Sequence, residues 1–256
     1  MFSTTAIFPA LPSLEAPAMA LAQQFNLPFT LTRQSAYEYL LVVTPDYVGL
    51  QRTEGTSLPW YIDFLSGKVN YRFRHTSLKS EALARAMGLK GNTHPRIVDA
   101  TGGLAGDAFV LASLGFEVTA LERSPIVYIL VMDAIQRAQK NSQIAPIINR
   151  LQWVHVDAMA WFSQVKHPER PEIVYIDPMF PERKKSALPR QEMLILHDIV
   201  GADADADRLL MAALACATQR VVVKRPRLAS VFAVGTAPSF ALSGSSSRFD
   251  VYLTRE

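Results

Sequence analysis

From Pro95 to the C-terminus, short apolar runs bounded by turn residues alternate with helical patterns, and few architectures can bury such a chain. Strands are predicted over 96–99, 116–121, 151–156, 173–176, 220–224 and 249–253. Helices are predicted over 107–114, 126–140, 159–165, 191–200 and 207–217. The pattern is that of an α/β fold with a mainly parallel sheet and helices on both faces. Residues up to Leu27 read as a loose lead-in with one helix over 14–25. Residues 37–74 read as a small antiparallel subdomain of two hairpins. One hairpin turns at Pro45-Asp46; in the other, 60–65 meets 68–71 across Ser66-Gly67. A helix over 77–87, stopped by Gly88, follows, so the expected division is 1–75 and 76–256.

Composition narrows the class. An apolar share of 49% in 256 residues is enough for a sizeable core. A net charge of +3 with a pI near 9.0 leans towards an anionic partner. Cys216, the single cysteine, excludes an internal disulfide and lies in an apolar helical pattern that predicts a packed core thiol. None of the five histidines has metal-ligand spacing, and His155, alternating with Trp153, reads as structural; no metal is expected. Pro9, Pro12 and Pro17 interrupt an N-terminus without a basic lead, and no apolar run has the length of a membrane span. The expectation is a cytoplasmic protein with no membrane partner and no obligate protein partner.

Four carboxylates lie at or just past successive predicted strand ends: Asp99, Glu122, Asp157 and Asp177. Open parallel sheets bind ligands in the crevice beyond those ends. Singly, Asp99 anchors a turn, Asp157 caps a helix and Glu122 is a rim charge; all four on one edge point to a site. After Asp99 comes Ala-Thr-Gly102-Gly103-Leu-Ala-Gly106-Asp107, which satisfies neither a dinucleotide fingerprint nor a P-loop. Asp99 and Asp107 beside these glycines repel polyphosphate and suit a cationic ligand such as S-adenosylmethionine. Glu122 stands where a carboxylate takes ribose hydroxyls, and Asp157-Ala158 where one takes an adenine amine.

The Asp177 strand end continues Pro178-Met179-Phe180-Pro181-Glu182-Arg183-Lys184-Lys185. Proline donates no N–H, so two carbonyls and a carboxylate can accept from a planar NH2 while Phe180 stacks on its ring. The segment resembles the Asp/Asn-Pro-Pro-Tyr/Phe motif of amino-group methyltransferases, with Met179 at the second proline. Asp99-Ala-Thr-x-Gly, the run from Asp107 to Ser113, Leu121-Glu122-Arg123-x-Pro125, Asp177 to Pro181, Lys185 to Leu188 and Val221 to Pro226 add to it. Together they resemble the RsmJ-like small-subunit ribosomal RNA guanine-N2 methyltransferases, from roughly Ser66 onward and more loosely before it.

That resemblance implies a Rossmann-like class I methyltransferase fold with a seven-stranded sheet, and S-adenosylmethionine as donor. It also implies methylation of the N2 amine of one guanosine in 16S rRNA, free or in the small subunit. Carried over, the donor contacts fall on Gly106, Asp107, Glu122, Arg123, Asp157, Ala158 and Asp177; Asp99 and Gly103 are nominated from the loop itself. Gly103-Leu104-Ala105-Gly106-Asp107 departs from the family's Gly-Leu-Gly-Arg-Asp, and Gly106 is expected to restore the turn. Asp177, Pro178 and Phe180 are the catalytic candidates. Arg183, Lys184, Lys185, Lys224, Arg225 and Arg227 are candidates for RNA contact, with Pro226 expected to keep the last group out of regular pairing. Arg72 and Arg74 read equally as RNA contacts or as a solvated edge strand. The rival readings are a nicotinamide oxidoreductase, a methyltransferase of DNA adenine or protein glutamine, and a non-catalytic assembly factor.

Overall fold

The structure is a computed structural model, and it describes residues 4–33, 36–54, 57–65, 77–178, 199–200, 205–232, 234–244 and 247–254. Seven strands form the main sheet: β4 (Ile97–Asp99), β5 (Val118–Glu122), β6 (Leu151–His155), β7 (Ile173–Ile176), β8 (Arg220–Pro226), β9 (Phe240–Ser243) and β10 (Ser247–Leu253). Their spatial order is β6-β5-β4-β7-β8-β10-β9. The pairs from β6 through β8 are parallel, whereas β10 runs antiparallel to both β8 and β9.

Alternation along the strands decides which layer each residue enters. Ile97, Val118, Ala120, Ile173, Tyr175 and Val222 share one core with α3 (Gly106–Ser113), α4 (Pro125–Ala138) and α5 (Ala145–Ile148). Val98, Leu121, Val174, Ile176, Val221 and Val223 share the other with α6 (Ala158–Gln164) and α7 (Ala206–Cys216). Cys216 is buried in that second core, as its helical pattern predicts. Buried on both faces, the central strands read as continuous apolar runs.

The N-terminal region departs from expectation. Residues Thr5–Pro9 are not lead-in but a strand, β1, followed by α1 (Glu15–Gln24) and paired in parallel with β2 (Tyr39–Val43). All five residues of β1 are buried, so the strand shows no alternation to betray it. The hairpin from β2 into β3 (Val48–Arg52) forms as predicted, its turn closed by Thr44, whose hydroxyl accepts from Asp46 and Tyr47 N–H. Residues 60–65 form no strand; Trp60 makes one bridge to Leu50, and the proposed partner 68–71 lies outside the described residues. The helix predicted over 77–87 is shorter, α2 (Ala82–Ala86). One face of the small sheet packs on the main core, where Ile7, Leu41 and Leu50 join the cluster that holds Phe109 and Leu130 and Phe64 stacks on Phe109 at 4.9 Å. Its other face carries Ala6, Phe8, Leu40 and Val42 as a cluster of their own.

Two more differences concern the C-terminal half. Pro226 lies within β8, opposite Ser247, so it does not leave the sheet. The short strand β9, which the reading did not include, is an exposed edge of four residues. The helix expected over 191–200 falls almost wholly outside the described residues. Among the described residues, no helix is long and apolar enough to cross a membrane.

Candidate active site

The strand order reverses at β4: β5 lies on one side and β7 on the other. Loops leaving their carboxyl ends diverge there and open a crevice. A cavity of about 290 Å³ fills it, lined by Asp99, Gly103, Gly106, Asp107, Glu122, Arg123, Asp157, Ala158, Asp177 and Lys224. Leu104, Val127, Val156, Met159 and Leu209 supply apolar wall. Residues that the sequence places up to 125 apart, from Asp99 to Lys224, thus meet in one space.

The turn after β4 is built for close approach. A Cβ on Gly102 would lie 2.6 Å from the Trp153 ring and 3.0 Å from the Leu121 carbonyl, so only glycine fits there. Gly103 has φ +51, and its N–H donates to Glu122 Oε2 at 2.9 Å. The next left-handed residue is Ala105, φ 60, fully buried at the start of α3. For a side-chain-bearing residue that conformation costs about 1–2 kcal/mol. Gly106 therefore does not restore the turn, contrary to expectation; Ala105 adopts it under strain. Gly106 has open space around the position of a Cβ, on the cavity wall.

Glu122 is not an exposed rim charge. It is 7% exposed and accepts from the N–H groups of Gly103 and Ser124, the second at 2.6 Å. Beside it, Arg123 pairs with Asp205 at 2.9 Å. Asp157 caps α6, accepting from Ala160 N–H at 3.0 Å, while still lining the cavity. His155 packs between the Phe25 and Tyr128 rings, a structural position.

A charged network spans the cavity between β4, β7 and β8. Asp99 is 2% exposed and accepts from Thr101 N–H at 3.1 Å. Burial pushes its carboxyl up to about 8; the Thr101 N–H opposes this, Asp107 and Asp177 add to it, and Lys224 opposes it. The Thr101 hydroxyl accepts the Asp177 N–H at 2.6 Å, tying the glycine turn to the end of β7. Tyr175, buried in β7, donates to Asp107 Oδ2 at 2.7 Å, and burial, then the Asp107 charge, raises its phenol well above the usual range. Lys224 Nζ lies 2.8 Å from Asp107 Oδ2 and 2.8 Å from Asp177 Oδ2. Burial pulls this ammonium down, but the carboxylates of Asp107 and Asp177 outweigh burial and hold it above the usual lysine range.

Two of the residues expected to face RNA are placed otherwise. Lys224 shares the parity of Val222 and turns into the cavity between two carboxylates. Arg225, one residue on, shares the parity of Val223 and is buried on the other face, its guanidinium 3.9 Å from the Phe232 ring centroid and donating to the Ser230 carbonyl. A strand sends neighbours to opposite faces, so these two do not form a surface patch. Arg227 is exposed, and Pro178 is buried behind Asp177. Phe180, Arg183, Lys184 and Lys185 lie outside the described residues, as do Arg72 and Arg74. Thr101, Tyr175 and Asp205 were missed by sequence reasoning: their partners are remote in the chain, Asp205 being 82 residues from Arg123.

Both cations on the cavity wall are already matched, Arg123 by Asp205 and Lys224 by Asp107 and Asp177. The remaining lining is rich in carboxylates, which suits a cationic nucleoside and disfavours a polyphosphate. Fold and site together define a class I S-adenosylmethionine-dependent methyltransferase. Residues 20–254 match the family described as "Putative SAM-dependent methyltransferase". The chain is 42% identical over 257 residues to the ribosomal RNA small subunit methyltransferase J of Coxiella burnetii, covering 100% of this chain and 99% of the relative. It is 43% identical over 240 residues to the protein of the same name from Thioalkalivibrio sulfidiphilus, covering 93% and 92%. The crystal structure of a SAM-dependent methyltransferase from Neisseria gonorrhoeae superposes with a TM-score of 0.72 at 32% identity, covering 97% of this chain and 95% of that one. The chain belongs to the ribosomal RNA small subunit methyltransferase J family of SAM-dependent methyltransferases.

Proposed function

We propose that this protein methylates the exocyclic N2 amine of one guanosine in small-subunit (16S) rRNA. The observation that carries the reading is Asp177, a carboxylate on the cavity wall at the carboxyl end of β7, with Pro178 directly behind it and Phe180 three residues on in sequence. The substrate class is supported by the name that the relatives share, ribosomal RNA small subunit methyltransferase J, and the N2 position is what the resemblance of the motifs to the guanine-N2 family implies.

Glu122, set by two backbone N–H groups, would accept from the donor's ribose hydroxyls, and Asp157 with Ala158 would meet its adenine. Asp99, Gly103, Gly106, Asp107 and Arg123 would line the rest of the donor. S-adenosylmethionine supplies an electrophilic methyl group on a sulfonium whose departure leaves a neutral thioether. The chain's own task is therefore positioning rather than strong acid–base catalysis. The Asp177 carboxylate and the Pro178 carbonyl accept from the two N–H bonds of the guanine NH2, which leaves the nitrogen lone pair available for attack. Phe180 stacks on the base once it is turned out of its helix. The nitrogen gains one bond to carbon and gives up one proton, to Asp177 or to water. Arg183, Lys184, Lys185 and Arg227 would meet RNA phosphates, each lowering the salt slope of binding by about one charge when removed.

The test is transfer from labelled S-adenosylmethionine to small subunits lacking the modification, with nucleosides separated by mass. Label in N2-methylguanosine at one site is expected. Label in methyladenosine or in protein overturns the assignment.

A further inference from the structure

Lys224 is the one described residue whose single charged atom contacts both sides of the cavity. It stands on β8 beside the end of β7, where the strand register places Val223 opposite Ile176. Its ammonium lies 2.8 Å from Oδ2 of Asp107, in the first turn of the helix that follows the glycine turn. It lies equally close to Oδ2 of Asp177, the proposed acceptor of the substrate amine. Tyr175 fixes the far side of this arrangement by donating to the same Asp107 oxygen. The Asp177 N–H is fixed independently, on the Thr101 hydroxyl. Asp107 is thus held by a phenol and an ammonium, and Asp177 by an ammonium and a backbone clamp.

We propose that Lys224 is a positioning residue for methyl transfer: it ties the donor-side carboxylate Asp107 to the amine-accepting carboxylate Asp177 and keeps Asp177 in its acceptor form. The inference rests on the assignment of Asp177 as the amine acceptor. Asp99, Asp107 and Asp177 face one another across a partly buried space, with Lys224 their common cation and Tyr175 a buried neutral donor. On the adjacent strand β10 the residue opposite Lys224 is Phe249, which carries no charge to replace it. Asp99 already holds a proton up to about pH 8; without the ammonium, Asp107 and Asp177 lose their shared cation, and a further proton binds between them. A protonated Asp177 donates where it must accept, and it then opposes the substrate NH2 instead of orienting it.

Removing a cation raises the pH at which a neighbouring carboxylate loses its proton, so the acid limb of the rate profile moves to higher pH. A lysine that only supported packing would lower the rate by the same factor at every pH.

The experiment compares wild type, Lys224→Met and Lys224→Arg in transfer from labelled S-adenosylmethionine to undermodified small subunits, from about pH 6 to about pH 9. Binding of S-adenosylhomocysteine is measured by calorimetry over the same range, and thermal melts confirm folding. In Lys224→Met the acid limb of kcat is expected to rise into the measured range, to about pH 7, so that a loss of about tenfold near pH 6 shrinks as pH rises. Lys224→Arg, which keeps the charge, is expected to restore the wild-type limb. A Lys224→Met profile parallel to wild type at all pH values overturns the inference alone, with the wild type still labelling rRNA. So does a Lys224→Arg variant as shifted as Lys224→Met. A wild type that labels no rRNA instead overturns the substrate reading, and the inference falls with it.

Discussion

At the amino ends of β4 and β7, Arg96 and Glu172 form an ion pair whose side chains are 54% and 24% exposed. At the carboxyl ends of the same two strands, Asp99 is almost wholly buried and Asp177 shares the Lys224 ammonium with Asp107. The Arg96 pair has good geometry, with the Arg96 N–H also donating to Glu172 at 2.7 Å, yet water surrounds much of it. Exposed pairs contribute little, because solvent already satisfies their charges. Charges withdrawn from water keep their influence on one another, and they are costly to hold unless the fold gains something from them. The sheet carries its structural charge at one end and its chemical charge at the other.

Substitutions at the carboxyl edge are expected to matter most. Asp177→Ala removes one acceptor for the substrate amine; kcat is expected to fall by about 100- to 1,000-fold or more while S-adenosylhomocysteine still binds by calorimetry. Glu122→Gln sets an NH2 group against the Gly103 or Ser124 N–H and weakens the ribose contact. Hydrogen bonds to a charged acceptor are worth about 1.5–3 kcal/mol, so affinity for S-adenosylhomocysteine is expected to drop by roughly tenfold to a hundredfold in the same titration.

How much of this contrast was legible beforehand depended on what each residue needed. The four carboxylates were visible because each closes an apolar strand, and the sheet order then gathers them without further information. Their shared face follows from alternation: Asp99 keeps the parity of Ile97, and Glu122 that of Val118 and Ala120. The same alternation undid the basic cluster at Lys224 and Arg225, where adjacency in sequence was taken for adjacency in space. Thr101, Tyr175 and Asp205 have no local signal, since their roles come from partners remote in the chain. β1 was hidden by complete burial, which erases the period of two.

Smaller effects sharpen the comparison. Because burial raises Asp99 to about 8, its folded form holds a proton that the unfolded chain releases near pH 4. Its contribution is fully present below about pH 4 and is lost as pH rises to about 8, so thermal stability is expected to decline over that window, and Asp99→Asn to flatten the decline. Gly103→Ala meets no steric obstacle nearer than the Thr101 carbonyl at 3.7 Å, but its φ of +51 should cost about 1–2 kcal/mol in denaturant unfolding. Arg96→Ala, at the amino edge, should change stability by at most about 1 kcal/mol and leave methyl transfer untouched. An effect of Arg96→Ala as large as that of Asp177→Ala on turnover would break the distinction between the two ends.

The most direct measurement pairs wild type with Asp177→Ala in labelled S-adenosylmethionine transfer to undermodified small subunits, followed by nucleoside mass analysis and a parallel binding titration. The predicted result is label in N2-methylguanosine from the wild type and almost none from Asp177→Ala, with both proteins binding S-adenosylhomocysteine. Wild-type turnover by Asp177→Ala, or label in a different nucleoside, would contradict the assignment of amine methylation to this strand end.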